Sequence, residues 1–113
     1  MTAFPMSRPV PPHVFVHAST PLLPYLVRKM SELKHLTVEG LMTMGPRSGN
    51  AEESRPYFRK TKRIFEKIRA LSLPNVNLKT LSMGMSNAYK VAIEEESNMI
   101  RLGTLIFGQR SYL

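Results

Sequence analysis

Three short apolar runs separated by amphipathic stretches constrain this chain more than any other feature. "LTVEGLMTM" (36–44) is nearly continuous and partly β-branched, which predicts a strand covered on both sides. "LKTLSM" (78–83) and "NMIRLGTLIFG" (98–108) have the same strand character. Between them, "RPYFRKTKRIFEKIR" (55–69) and "NAYKVAIEEE" (87–96) read as helices. In the first, Phe58, Thr61, Phe65, Ile68 and Leu71 recur at three- and four-residue steps and share one face. Strands that alternate with helices over short links predict an α/β fold, with parallel strands, outer helices and right-handed crossovers.

The flanking segments extend this pattern. Residues 1–12 form a proline-rich, irregular lead, and "HVFVHAS" (13–19) is a short strand candidate. Ser19 or Thr20 before Pro21 is a helix start, since proline in the first turn loses no needed donor. That helix runs through "LLPYLVRKMSEL". "GPRSGNAEES" (45–54) is a loop with Asn50 and Ser54 as capping candidates, and "LPNVN" (73–77) breaks the basic helix. The 113 residues hold one small domain, without internal repeats.

No apolar run approaches the roughly 20 residues of a membrane helix, and no apolar signal core opens the chain. Without cysteine there are no disulfides or thiolate metal sites. A cytoplasmic location is the resulting expectation. The net charge is +8, from 16 Lys and Arg against 8 Asp and Glu. Much of it lies at Arg59, Lys60, Lys62, Arg63, Lys67 and Arg69, mainly off the apolar face of the basic helix. These charges read first as a solvated outer surface. The competing reading is a basic interaction module that binds RNA or an acidic protein through residues 55–69. The lack of aromatic residues interleaved as a base-stacking platform argues against nucleic acid.

Chemistry concentrates in "LSMGMSNAYK" (81–90). At the carboxyl end of a parallel strand, Gly84 lets the backbone turn sharply. Ser86 is then the expected N-cap of a helix starting at Asn87, with the amides of Asn87, Ala88 and Tyr89 exposed as a phosphate site. The stretch alone fits a well-capped joint equally well. "MIRLGTLIFG" adds Arg101 within an apolar strand, where its charge needs a ring nitrogen, a carboxylate or a phosphate. Gly103 and Thr104 offer close backbone approach and a hydroxyl. In β/α barrels a phosphate site commonly forms from the loops after the last two strands.

"GLMTM" (40–44), "LSMGMSNAYKVAIEE" (81–95) and "IRLGTLIFGQRSY" (100–112) closely resemble the pyridoxal phosphate homeostasis proteins, from about position 26 to 112. That family has a single barrel related to the N-terminal domain of alanine racemases. The resemblance implies that residues 20–113 are the C-terminal half of a (β/α)8 barrel of the TIM type, about its last three to four β/α units. It implies a phosphate cradle of Gly84, Met85, Ser86 and Asn87 with Gly103 and Thr104, and Arg101 facing the pyridine nitrogen. An arginine there keeps the nitrogen unprotonated and weakens the electron sink, which suits a carrier better than a transaminase.

The departures matter as much. A complete barrel takes about 250 residues and eight strands, and the early strands that carry the family's Schiff-base lysine have no counterpart here. Lys79 lies at a strand start and Lys90 within a helix; neither matches. Ala88 stands where the family has an aspartate. Glu96 stands where a glycine closes the helix, which predicts loss of the left-handed cap. Residues 1–20 do not match, and the link from the fifth strand to its helix is shortened.

The expected function is therefore a short form or fragment of a pyridoxal 5′-phosphate carrier that binds the cofactor without a covalent bond. The alternatives are the basic module and a non-functional truncation. A partial barrel leaves strand edges unpaired, so self-association or complementation of a longer homologue is expected if the chain is active. No enzyme chemistry is expected: His13, His17 and His35 are scattered, and Glu94, Glu95 and Glu96 read as solvent-facing.

Overall fold

The computed structural model describes residues 20–46 and 50–108. The lead, the strand candidate at 13–19, Ser19 and the last five residues of the "IRLGTLIFGQRSYL" tail lie outside the described residues. Helix α1 spans Leu23–Met30 after a 3₁₀ turn at Thr20–Leu22. It starts later than Pro21 and ends before Leu33, and it buries Leu23, Val27 and Met30 on one face.

Strand β1 (Val38–Thr43) and strand β2 (Val76–Met83) pair in parallel, joined by helix α2 (Arg55–Ala70). Leu41 pairs with Leu81, Met42 with Ser82 and Thr43 with Met83. From the Val38–Val76 pair to the Gly40–Thr80 pair, β1 advances two residues and β2 advances four, so β2 bulges there. Helix α2 covers the sheet with Phe58, Thr61, Phe65 and Ile68, the face read from its spacing. Leu71 falls at the C-cap instead and is exposed, because the chain turns away at Ser72, whose φ is +50°. At the other end, Asn50 caps a 3₁₀ turn (Ala51–Ser54) by accepting the Glu52 N–H at 3.0 Å. Ser54 forms no cap; it is buried at the junction of that turn and α2.

The expected strand at 98–108 is reduced to a single parallel bridge, Ser82 to Met99. Backbone bonds accompany it, with the Asn98 and Met99 N–H groups donating to the Leu81 carbonyl at 3.0 and 3.2 Å and the Met83 N–H donating to the Met99 carbonyl at 3.1 Å. Side chains share the same edge of β2. Asn98 accepts the Leu81 N–H and donates to the Lys79 carbonyl, both at 2.7 Å. The Ser97 hydroxyl accepts the Met83 N–H at 3.1 Å and lies 2.7 Å from the Met99 carbonyl. Because β2 ends at Met83 and turns away at Gly84, the ladder has nothing to continue along, and the backbone leaves the sheet and coils into the short helix α4 (Thr104–Phe107).

Helix α3 (Tyr89–Glu94) keeps the left-handed close that Glu96 was expected to abolish. Glu96 adopts φ +73°, its N–H reaches the Ile93 carbonyl at 3.0 Å, and the Ser97 N–H reaches Ala92 at 2.9 Å. These two bonds form a Schellman close. The pull of Ser97 and Asn98 into the β2 edge holds a side chain where glycine is favoured. Glu96→Gly should therefore stabilise the fold by about 1 kcal/mol. Chemical denaturation reads this; an unchanged or lower midpoint would refute it.

The acidic run of α3 also departs from a solvent-facing reading. Glu95 is nearly buried and accepts from Arg55 at 3.0 Å and Arg59 at 2.9 Å. Burial raises its pKa, but these arginines outweigh that and hold it below the usual carboxylate value. Arg55 also pairs with Glu52 and Glu94, and Lys62 with Glu66. Part of the basic surface of α2 is thus neutralised by its neighbour helix.

Candidate functional site

The site forms where β2 ends. Gly84 has φ +89° and turns the chain out of the sheet, with Ala88, Tyr89 and Ala92 packed where its side chain would be. This turn puts Met85, Ser86 and Asn87 on the wall of a 420 Å³ pocket. Gly103, Thr104, Phe107 and Gly108 form the facing wall. Five of the seven residues singled out from the sequence are therefore brought together. Gly84 stands behind them as the turn. Arg101 is tied to that turn by its backbone N–H, which donates to the Gly84 carbonyl at 3.3 Å.

Ser86 does not cap α3. The N-cap is Ala88, without a side-chain hydrogen bond, and the helix begins at Tyr89. The Ala88 amide is consumed by the Met85 carbonyl at 3.0 Å, so it is not an exposed donor. Ser86 Oγ instead accepts the backbone N–H groups of Gly103 at 3.2 Å and Leu105 at 3.1 Å. A local cap was outcompeted by donors from a segment 17 to 19 residues away. Because the oxygen accepts two N–H groups, the Ser86 proton remains available to donate to a ligand. The Thr104 N–H, in the first turn of α4, has no intrahelical acceptor. An added Cβ at Gly103 would meet nothing within 4 Å, so the backbone there is open to close approach.

Arg101 is half-buried outside any strand. Its Nε and Nη2 are buried with no hydrogen-bond partner among the described residues. Burial alone pushes its pKa down from the ordinary arginine value. A guanidinium that must stay charged and lacks an acceptor is poised for one supplied from outside.

Sequence reasoning missed Phe107 and Gly108, which were assigned to a strand. Glycine at both ends of "GTLIFG" was the available signal for a short helical turn. It also passed over Ser82, a buried hydroxyl among apolar neighbours. Among the described residues, no group of three or more His, Asp or Glu could hold a metal ion. No described helix is long and apolar enough to cross a membrane.

The family model for the N-terminal domain of alanine racemase matches residues 19–111. The chain belongs to that family. Among curated members, it is 47% identical over 81 residues to the pyridoxal phosphate homeostasis protein of Aquifex aeolicus, covering 72% of this chain and 35% of the relative. It is 40% identical over 87 residues to the protein of the same name from Haemophilus influenzae, covering 77% and 36%. The chain thus spans about a third of the curated homeostasis proteins it matches. Solved family folds agree. PipY of Synechococcus elongatus with PLP bound superposes with a TM-score of 0.69 at 27% identity, covering 89% of this chain and 46% of PipY. PipY without PLP gives 0.72 at 26% identity, covering 95% and 48%. The resemblance read from the three motifs is therefore shown.

Proposed function

We propose that this chain is the C-terminal part of a pyridoxal phosphate homeostasis barrel and binds pyridoxal 5′-phosphate non-covalently, as a carrier element and not as an enzyme. The observation that carries this reading is that Ser86 Oγ, by accepting the amides of Gly103 and Leu105, ties the two walls of one pocket together, close in sequence to Arg101, whose Nε and Nη2 lack partners among the described residues. Ser86, Asn87 and Thr104, with the Gly84–Met85 turn and Gly103, would hold the phosphate. Arg101 would donate to the pyridine nitrogen. The pocket of 420 Å³ lies in the size range of small-ligand sites. When bound, the cofactor supplies an electrophilic aldehyde on an electron-withdrawing ring. The chain's own residues fix the two ends of that ring and provide no lysine for a covalent bond.

The wider architecture in this reading is the last part of a β/α barrel. Among the described residues, β1 pairs only with β2. Its outer edge is where a second chain, or the early strands of a longer homologue, would add. The ion pairs of Arg55, Arg59 and Lys62 with acidic residues leave less charge for a nucleic-acid surface.

The test is a thermal melt of the purified chain with and without pyridoxal 5′-phosphate. A cooperative melt raised by ligand is expected, with affinity reduced about tenfold in both Ser86→Ala and Arg101→Ala. Borohydride treatment should trap no lysine adduct in the pocket. A melt indifferent to ligand, or a trapped pocket lysine, would sink the proposal.

A further inference from the structure

Ser82 raises a question that the phosphate cradle leaves unanswered. It is 1% exposed, yet its Oγ has no hydrogen-bond partner among the described residues. Buried hydroxyls are normally satisfied, because an orphaned one keeps its full desolvation cost. Alternation along β2 puts Ser82 on the face opposite Leu81 and Met83, away from the core. Across that face Ser82 pairs with Met42 on one side and Met99 on the other. Two residues beyond Met99 comes Arg101, whose backbone N–H donates to the Gly84 carbonyl at 3.3 Å and so stays at the end of β2, two residues from Ser82. Two groups with buried polar atoms that lack partners among the described residues therefore lie at the end of β2 that also carries the pocket.

We infer that Ser82 is a further binding residue of this site: its hydroxyl and the Arg101 guanidinium take the ring hydroxyl and the ring nitrogen of a phosphorylated hydroxypyridine, two polar groups on one edge with a single ring carbon between them. This rests on the reading of the site as a pyridoxal phosphate cradle. Arginine can only donate, so it takes the ring nitrogen as acceptor. A serine hydroxyl both donates and accepts, so it suits the ring hydroxyl, one carbon removed from the nitrogen, in either ionisation state. Met42 and Met99 flank Ser82 with soft, adaptable side chains, which favour contact with an aromatic ring. Ligand discrimination then divides: the cradle at Ser86 reads the phosphate, and the Ser82–Arg101 pair reads the heteroaromatic edge.

The experiment compares the full-length chain with its Ser82→Ala and Ser82→Thr variants, using two probes. Pyridoxal 5′-phosphate carries both the phosphate and the polar ring edge; benzyl phosphate carries the phosphate alone. Ser82→Ala should bind pyridoxal 5′-phosphate about tenfold more weakly, bind benzyl phosphate unchanged, and melt no lower than wild type without ligand. Ser82→Thr, which keeps the hydroxyl, should restore pyridoxal 5′-phosphate binding. A purely structural serine would lower the melt or weaken both probes alike, and either result overturns the inference. Equal pyridoxal 5′-phosphate affinity in Ser82→Ala also overturns it. A wild-type chain that binds neither probe overturns the cradle reading itself, and this inference with it.

Discussion

Gly84→Ala is expected to lower stability by about 3 kcal/mol, the sum of a strained backbone and an overfilled joint. Gly84 sits at φ +89°, and an added Cβ would lie 2.7 Å from the Ala92 Cβ and 3.3 Å from the Ala88 carbonyl oxygen. Neither contact can relax cheaply, because Ala92 is fully buried in the α3 face and the carbonyl is backbone. Gly108→Ala separates the two causes. Gly108 has a similar φ of +78°, but no described residue lies within 4 Å of an added Cβ. It should cost about 1–2 kcal/mol, from the backbone (φ +78°, ψ 175°) alone. Denaturant midpoints of the two variants give the comparison directly. If Gly84→Ala costs no more than Gly108→Ala, close packing of α3 on the end of β2 is not what shapes this turn. If it costs the larger amount, the tight joint that presents Met85, Ser86 and Asn87 to the pocket is confirmed as a steric requirement.

What could be read from the sequence was governed by local periodicity. The apolar spacing of α2 placed Phe58, Thr61, Phe65 and Ile68 correctly, because a helix face follows from positions three and four apart. The two central strands were legible for the same reason, as short β-branched runs bounded by breakers. The motif residues of the pocket were legible through family resemblance, and the structure gathers most of them on its two walls. The errors at the site and along the β2 edge arose where distant groups compete with a local one. Ser86 had the sequence context of a helix cap, yet the amides of Gly103 and Leu105 claim its oxygen. Glu96 had the wrong chemistry for a left-handed close, yet Ser97 and Asn98 lock into β2 and hold it there. The strand character of 98–108 was real in composition, but a strand needs a ladder, and β2 ends at Met83, so only the first residues of the segment find backbone partners.

The charge pattern carries the same lesson at longer range. The net charge of +8 invites a search for an acidic partner outside the chain. Part of that partner is internal, since the Glu94 and Glu95 carboxylates of α3 meet Arg55 and Arg59 of α2. This contact ties together the two helices on either side of β2 in sequence. It therefore helps to fix the α3 end of the Gly84 joint. The cation that the proposed site calls on is not on the exposed helix but at Arg101, whose buried Nε and Nη2 have no acceptor among the described residues.

Asn98→Ala is expected to cost about 2 kcal/mol, although Asn98 is exposed and touches no ligand residue through its side chain. Its carboxamide imitates a strand: Oδ1 receives the Leu81 N–H and Nδ2 donates to the Lys79 carbonyl, each at 2.7 Å. Alanine leaves both backbone groups on the β2 edge without those partners. The defect should be confined in a way that hydrogen exchange can read. The Leu81 amide should lose protection, whereas the Met83 amide, held by the Met99 carbonyl and Ser97 Oγ, should keep most of its own. Unaltered protection at Leu81 would show that the carboxamide is dispensable to the edge. Equal loss at Leu81 and Met83 would mean that the edge opens as one unit. The selective loss is the expected result because the Ser97 contacts and the Ser82–Met99 bridge anchor the chain independently. That anchoring keeps Arg101 beside Gly84, so the variant should still respond to pyridoxal 5′-phosphate from a lower starting melt.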